Sequence, residues 1–144
     1  MPGIVVGVDG SPAADAALAF ALEEAKLRQL PLRIVCAWEI RPREYAGAAF
    51  VPTPDLARSA EGEAEAVLAR AAAMLGADPG VHVETAAVAG HPAKVLIEQA
   101  VGATLLVVGT RGHGGLASLV LGSVSQAVAH RCSAPLAIVP SRPA

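Results

Sequence analysis

Lysine is almost missing from this chain: Lys26 and Lys94 are the only two in 144 residues. Neither lies near a glycine-rich loop, so the G-x-x-x-x-G-K-[ST] phosphate loop is excluded. There is no basic excess either. Eleven Lys and Arg stand against thirteen Asp and Glu, a formal charge of -2, and the basic footprint of a DNA- or RNA-binding protein is absent. Cysteine is equally scarce. Cys36 sits in an apolar run and Cys132 beside a turn, with neither C-x-x-C nor metal-finger spacing, which predicts two reduced structural thiols. His82, His91, His113 and His130 form no close pair and no H-E-x-x-H, so no metal held by protein ligands alone is expected. Although 53% of the residues are hydrophobic, no uninterrupted apolar run approaches the ~20 residues of a spanning helix. The opening residues form no basic leader, and Gly7, Asp9 and Gly10 interrupt the first apolar stretch. A cytoplasmic protein with no membrane partner is the expectation. Aromatics are rare at 3%, and Trp38 and Tyr45 read as packing residues.

What is present is alternation. Ile4, Val5, Val6 and Val8 form a short β-branched run, and Asp9-Gly10-Ser11-Pro12 supplies a turn, a cap and a first-turn proline. Ala13 to Gln29 then reads as a helix with Ala14, Ala17, Leu18, Ala21, Leu22 and Ala25 on one stripe. Leu32 to Trp38 is a second strand, apolar enough to be covered on both faces. Pro42, Gly47, Pro52 and Pro54 argue against regular structure over most of Glu39 to Arg58, which reads as a lid or a disordered insertion. Asp55 can begin the next helix, and Ala57 to Leu75 is helical up to a stop at Gly76. Val81 to Ala89, Leu105 to Val108 and Pro135 to Val139 complete five strands; Pro92 to Val101 and Val124 to Arg131 complete four helices. The length suits one domain over residues 1–144. Strict alternation predicts a mainly parallel α/β sheet with helices on both faces, and ligands then sit at strand carboxyl ends where the winding reverses.

One such strand end is rich in glycine. Gly109-Thr110-Arg111-Gly112-His113-Gly114-Gly115 follows the fourth strand, and nine residues separate Gly112 from Gly122 and Ser123, which open the last helix. Backbone there can approach a ligand closely, and the N–H groups of a helix start favour an anion. Ser123 and Ser125 add hydroxyl donors. Two such features are a sensible cradle for a di- or triphosphate, although glycines can also serve only a tight connection. Charge agrees: after Glu98 the chain has no Asp or Glu but keeps Arg111, Arg131 and Arg142. Gly112 to Ala117 also fits G-x-G-x-x-A, but the later acidic residue for a ribose is missing, which argues against NAD.

These residues resemble the universal stress protein family, whose nucleotide-binding members carry G-x2-G-x9-G-[ST], matched here by Gly109, Gly112, Gly122 and Ser123. The likeness extends to the opening Ile4-Val5-Val6-Gly7-Val8-Asp9-Gly10-Ser11, the Gly90-His91-Pro92 turn, the Leu105 to Gly112 strand end and the closing Ala134 to Val139. The resemblance implies an open five-stranded parallel sheet in order 3-2-1-4-5, of the Rossmann-like, adenine nucleotide α-hydrolase-like kind. It implies a homodimer paired through Pro135 to Val139. It also implies adenine near Val8, Asp9 and the backbone of Ala37, with Val108 lining the pocket. Phosphates would meet Gly109, Gly112, Gly122, Ser123, Val124 and Ser125. Apart from the resemblance, Arg111 in the glycine loop is a further candidate phosphate contact. The expected ligand is ATP, with or without Mg.

Asp9 has a rationale of its own, since a carboxylate at a strand end can reach a ribose hydroxyl or a phosphate-bound divalent ion; the alternative is turn formation or capping. His113 reads as a solvated loop residue. The leading function is an ATP-binding stress-response or regulatory protein, in which the nucleotide shifts a conformational population. Against a nucleotide hydrolase stands the lack of a recognisable general base or arginine finger, so no catalytic residue is assigned. Against a nucleotide-free scaffold stands the intact motif.

Overall fold

A computed structural model of the protein describes residues 3–40, 53–110 and 121–141. The chain runs β1 (Ile4–Gly7), α1 (Pro12–Arg28), β2 (Leu32–Trp38), α2 (Pro54–Met74), β3 (Val83–Ala89), α3 (Pro92–Gln99), β4 (Leu105–Gly109), α4 (Ser123–Arg131) and β5 (Leu136–Val139). All strand pairs are parallel, and the sheet order is β3-β2-β1-β4-β5. Both the parallel sheet and its order agree with the sequence reading.

Each helix begins where local chemistry allows. Ser11 caps α1 by accepting from the Ala14 N–H at 3.2 Å, with Pro12 in the first turn. Thr53 does the same for α2 through the Leu56 N–H, again with a first-turn proline. Pro54 is thus a helix initiator, one residue before the start at Asp55 that the sequence allows; residues 41–52 of the expected excursion lie outside the described residues. Proline's fixed φ and missing N–H suit the first turn, so the residue that reads as a breaker here starts the element. His91 caps α3, its Nδ1 accepting from the Ala93 N–H at 3.3 Å. Helix α2 stops as expected, with Gly76 at φ 82° just beyond it.

Two apolar layers sandwich the sheet. Ile4, Val6, Ile34, Leu105 and Val107 face α1 and α2, where Ala17, Leu18, Ala21, Leu68 and Ala71 cover them. Val5, Val35, Leu106 and Val108 face α3 and α4 and meet Val95, Leu96 and Val128. Period-two alternation therefore sends each strand's side chains to two different cores, and the central strands look apolar throughout. Arg70 reaches across from α2 to α1 and grips Asp15 with both terminal guanidinium nitrogens, at 3.1 and 2.8 Å. Among the described residues, no helix is long and apolar enough to cross a membrane.

Leu18 is 1% exposed in the α1 layer, whereas Leu27 on the same helix is 72% exposed. Leu18→Ala should cost about 2–5 kcal/mol in urea unfolding and Leu27→Ala about 0.5 kcal/mol or less. Equal costs would contradict this assignment of the helix face.

Candidate functional site

Strand β1 lies at the centre of the sheet. Chain leaving it turns to the α1 face, and chain leaving β4 leads to α4 on the other face, so a crevice opens above the end of β1. The ladder shows what that crevice exposes. The Val8 N–H donates to the Val35 carbonyl at 2.9 Å, after which the chain turns away at Asp9 and Gly10, the latter at φ 86°. Strand β2 runs on to Trp38. On the edge of β2 that faces β1, every second residue points across, so the next N–H and C=O after Val35 are those of Ala37. They extend past the last rung and offer a donor and an acceptor side by side.

The opposite wall is built by α4. Thr110, 8% exposed, ends the β4 side, and its carbonyl accepts twice: from the Gly122 N–H at 2.7 Å and from Ser125 Oγ at 2.9 Å. The Thr110 N–H in turn donates to the Val139 carbonyl at 3.0 Å. These bonds bring the start of α4 to the end of β4. Gly109 makes the approach of α1 possible too: a Cβ there would lie 2.7 Å from the Ala13 carbonyl oxygen. The first motif glycine is therefore needed for helix packing, apart from any ligand.

Helices α1, α2 and α3 have side-chain caps, whereas Gly122 offers none to α4. The first-turn N–H groups of Ser123, Val124 and Ser125 consequently lack intrahelical acceptors, at the positive end of the helix dipole. Ser125 is 2% exposed, and its hydroxyl is engaged with the Thr110 carbonyl and lies 3.1 Å from that of Gly122. Its contribution to the cradle is structural, through the clasp, and through its amide. Ser123 is exposed.

A cavity of about 680 Å³ joins these walls, well within the size range of small-molecule sites. Val8, Asp9, Ala37, Val108 and Gly109 line it, together with Gly122, Ser123, Val124 and Ser125. Arg111 and Gly112 lie outside the described residues, as do His113 and Tyr45. The Asp9 carboxylate accepts from the Ser11 N–H at 2.9 Å through Oδ1, which holds the turn while the side chain stays exposed at the cavity. Among the described residues no group of His, Cys, Asp and Glu is arranged to hold a metal.

Sequence reasoning missed one wall. Leu56, Ala60 and Ala64 of α2 face the cavity together with Ser59 and Glu63. Their four-residue spacing marks one helix face, but a short apolar stripe with two polar neighbours carries no ligand signature. The sequence also marks Trp38 as a packing residue. It does pack against the α1 and α2 layer, and it lines the cavity as well.

Burial, and secondarily the negative charge of Asp9, pushes the Cys36 thiol up to about 11. A raised thiol value means that the folded state holds the proton more tightly. The resulting stability is complete below the unfolded thiol's value near 9 and is lost as pH rises through 11. The thiolate is the reactive form, so iodoacetamide at pH 8 should modify the half-buried Cys132 well before Cys36. Peptide mapping that found Cys36 labelled first would contradict this.

A family model described as the universal stress protein family matches residues 2–140. Universal stress protein Rv2005c of Mycobacterium tuberculosis is 39% identical over 137 residues, which are 94% of this chain and 44% of that protein. The chain thus spans less than half the length of that relative. A universal stress protein solved in complex with cAMP superposes with a TM-score of 0.72 at 28% identity, covering 98% of each chain. The universal stress protein from Archaeoglobus fulgidus in complex with dAMP gives 0.68 at 26%, covering 96% of this chain and 98% of that one. On a match over residues 2–140 and the shared five-stranded sheet, the chain belongs to the universal stress protein family.

Proposed function

We propose that this chain binds an adenine nucleotide, with ATP as its ligand, and works as a nucleotide-dependent regulatory protein in a stress response. The observation that carries the reading is the uncapped start of α4, turned toward the crevice across from Ala37. Three amides without intrahelical acceptors suit a phosphate. An adjacent main-chain N–H and C=O suit the N1 and 6-amino edge of adenine. Two structural relatives hold cAMP and dAMP, which supports an adenine nucleotide as the ligand class. When ATP brings Mg, the free oxygen of Asp9 is the carboxylate at hand for it.

Binding alone meets the role, since a ligand with different affinities for two conformations shifts their populations without chemistry. Strand β5 is an outer strand whose residues are all half-buried, which supports a homodimer paired through Pro135 to Val139. The near balance of charge supports a partner other than nucleic acid, and a cytoplasmic location fits two cysteines that remain free thiols.

Ser123→Pro tests the phosphate site. Proline is favoured at the first helical position, and Gly122 at φ -70°, ψ 169° already has the backbone that precedes a proline. The substitution removes one N–H and one hydroxyl while leaving α4 intact. Calorimetry should show affinity for ATP, ADP and AMP falling about tenfold or more, with an unchanged circular dichroism spectrum. Undiminished affinity would move the phosphate elsewhere. Sedimentation at micromolar concentration should give twice the protomer mass, and a monomer would contradict pairing through the last strand.

A further inference from the structure

Trp38 is the only tryptophan in the chain. It closes β2 immediately after Ala37, half-buried against the α1 and α2 layer. Its Nε1 is fully buried and has no hydrogen-bond partner among the described residues. An indole nitrogen can only donate, and a buried donor left unpaired destabilises the fold. Such a group in a folded protein calls for a reason.

The main chain here is fixed, because the Trp38 carbonyl accepts from the Gly90 N–H at 2.8 Å. The ring is not held in the same way. It forms part of the cavity wall, and with no hydrogen bond on Nε1 a turn of the ring about χ2 would break none. Charge then limits what can meet it. Among the described residues, the charged side chains lining the cavity are Asp9, Glu39 and Glu63, all carboxylates. Glu39, which follows β2, and Glu63 of α2 oppose a phosphate on this side, whereas the α4 start attracts one. An uncharged heterocycle with an in-plane acceptor nitrogen fits what remains, and a purine is such a group.

We propose that Trp38 is a specificity-determining ligand contact, the indole turning about χ2 on binding so that its Nε1–H donates to a ring nitrogen of the bound nucleobase. This deepens the nucleotide reading above and rests on it. The unpaired donor is a cost carried by the ligand-free protein and relieved on binding. A base that presents N–H or C–H at that position leaves the cost in place and binds more weakly.

Because Trp38 is the sole tryptophan, expression with a tryptophan analogue alters this position alone. Benzothienylalanine keeps the ring shape and replaces N–H with sulfur. Calorimetry with AMP should then show affinity about tenfold weaker, while the ligand-free melting temperature stays level or rises. Fluorotryptophan, which keeps the N–H, should retain the original affinity. Deaza analogues of AMP complete a cycle: the one lacking the accepting nitrogen loses affinity for the unaltered protein and loses no more for the sulfur isostere. Should the isostere destabilise the fold, Trp38→Phe supplies a second ring without a donor and should show the same weakening. Unchanged AMP affinity in the benzothienyl protein, or in Trp38→Phe, overturns the assignment of Trp38. An unaltered chain that takes up no AMP, ADP or ATP instead overturns the nucleotide reading itself, and the contact with it.

Discussion

The Thr110 carbonyl accepts the Gly122 N–H and the Ser125 hydroxyl together, and the arrangement of the crevice depends on that pair of bonds. They join the two ends of the glycine-rich connection and hold the start of α4 at the end of β4. Without them, a nine-residue helix with no side-chain cap would have little to fix its direction, and its first-turn amides would not face Ala37. A buried serine is an economical way to do this. Its hydroxyl satisfies a strand-end carbonyl that has no further strand residue to bond, and it leaves the amide at the same residue free. The clasp is closed without a ligand, so on the proposed reading a phosphate would meet donors already oriented, with less ordering to offset at binding.

The rest of the crevice follows from strand length. The last rung of β1 is Val8, whereas β2 continues to Trp38, and the difference uncovers one main-chain N–H and one C=O at Ala37. The parallel order β3-β2-β1-β4-β5 makes β1 the place where the winding changes sides, so β1 leads to α1 on one face and the neighbouring β4 to α4 on the other. On the proposed reading, phosphate and base are thus held largely by backbone groups. Side chains set the electrostatics instead: carboxylates of Glu39 and Glu63 on the β2 and α2 side, Asp9 at the end of β1, and no acidic residue among the described α4 lining.

Much of this was legible in the sequence. The β-branched runs, the cap Ser11 with Pro12, and the glycine stop at Gly76 mark elements through local chemistry, and α/β alternation then limits the topology. The family resemblance supplied the strand order and drew Val8, Asp9, Ala37 and Val108 together with Gly122 to Ser125, all of which line one cavity. What stayed hidden depends on long-range contacts. Pro54 reads as loop punctuation until Thr53 is seen to cap the helix it begins. Gly109 reads as a ligand glycine until Ala13 is found against it. Ser125 reads as a phosphate donor until its hydroxyl is found on Thr110. The α2 wall and the unpaired Trp38 N–H carry no local signal at all, because each is defined by a partner distant in the chain or by the lack of one.

The central claim is that main-chain amides on two sides of the β1 end hold the ligand. Amide chemical shifts followed by nuclear magnetic resonance during titration with AMP test it most directly. The largest perturbations should fall on Ser123, Val124 and Ser125 together with Ala37, as one saturating event. Saturable shifts that left these four amides unmoved, or that clustered on the outer faces of the helices, would contradict it.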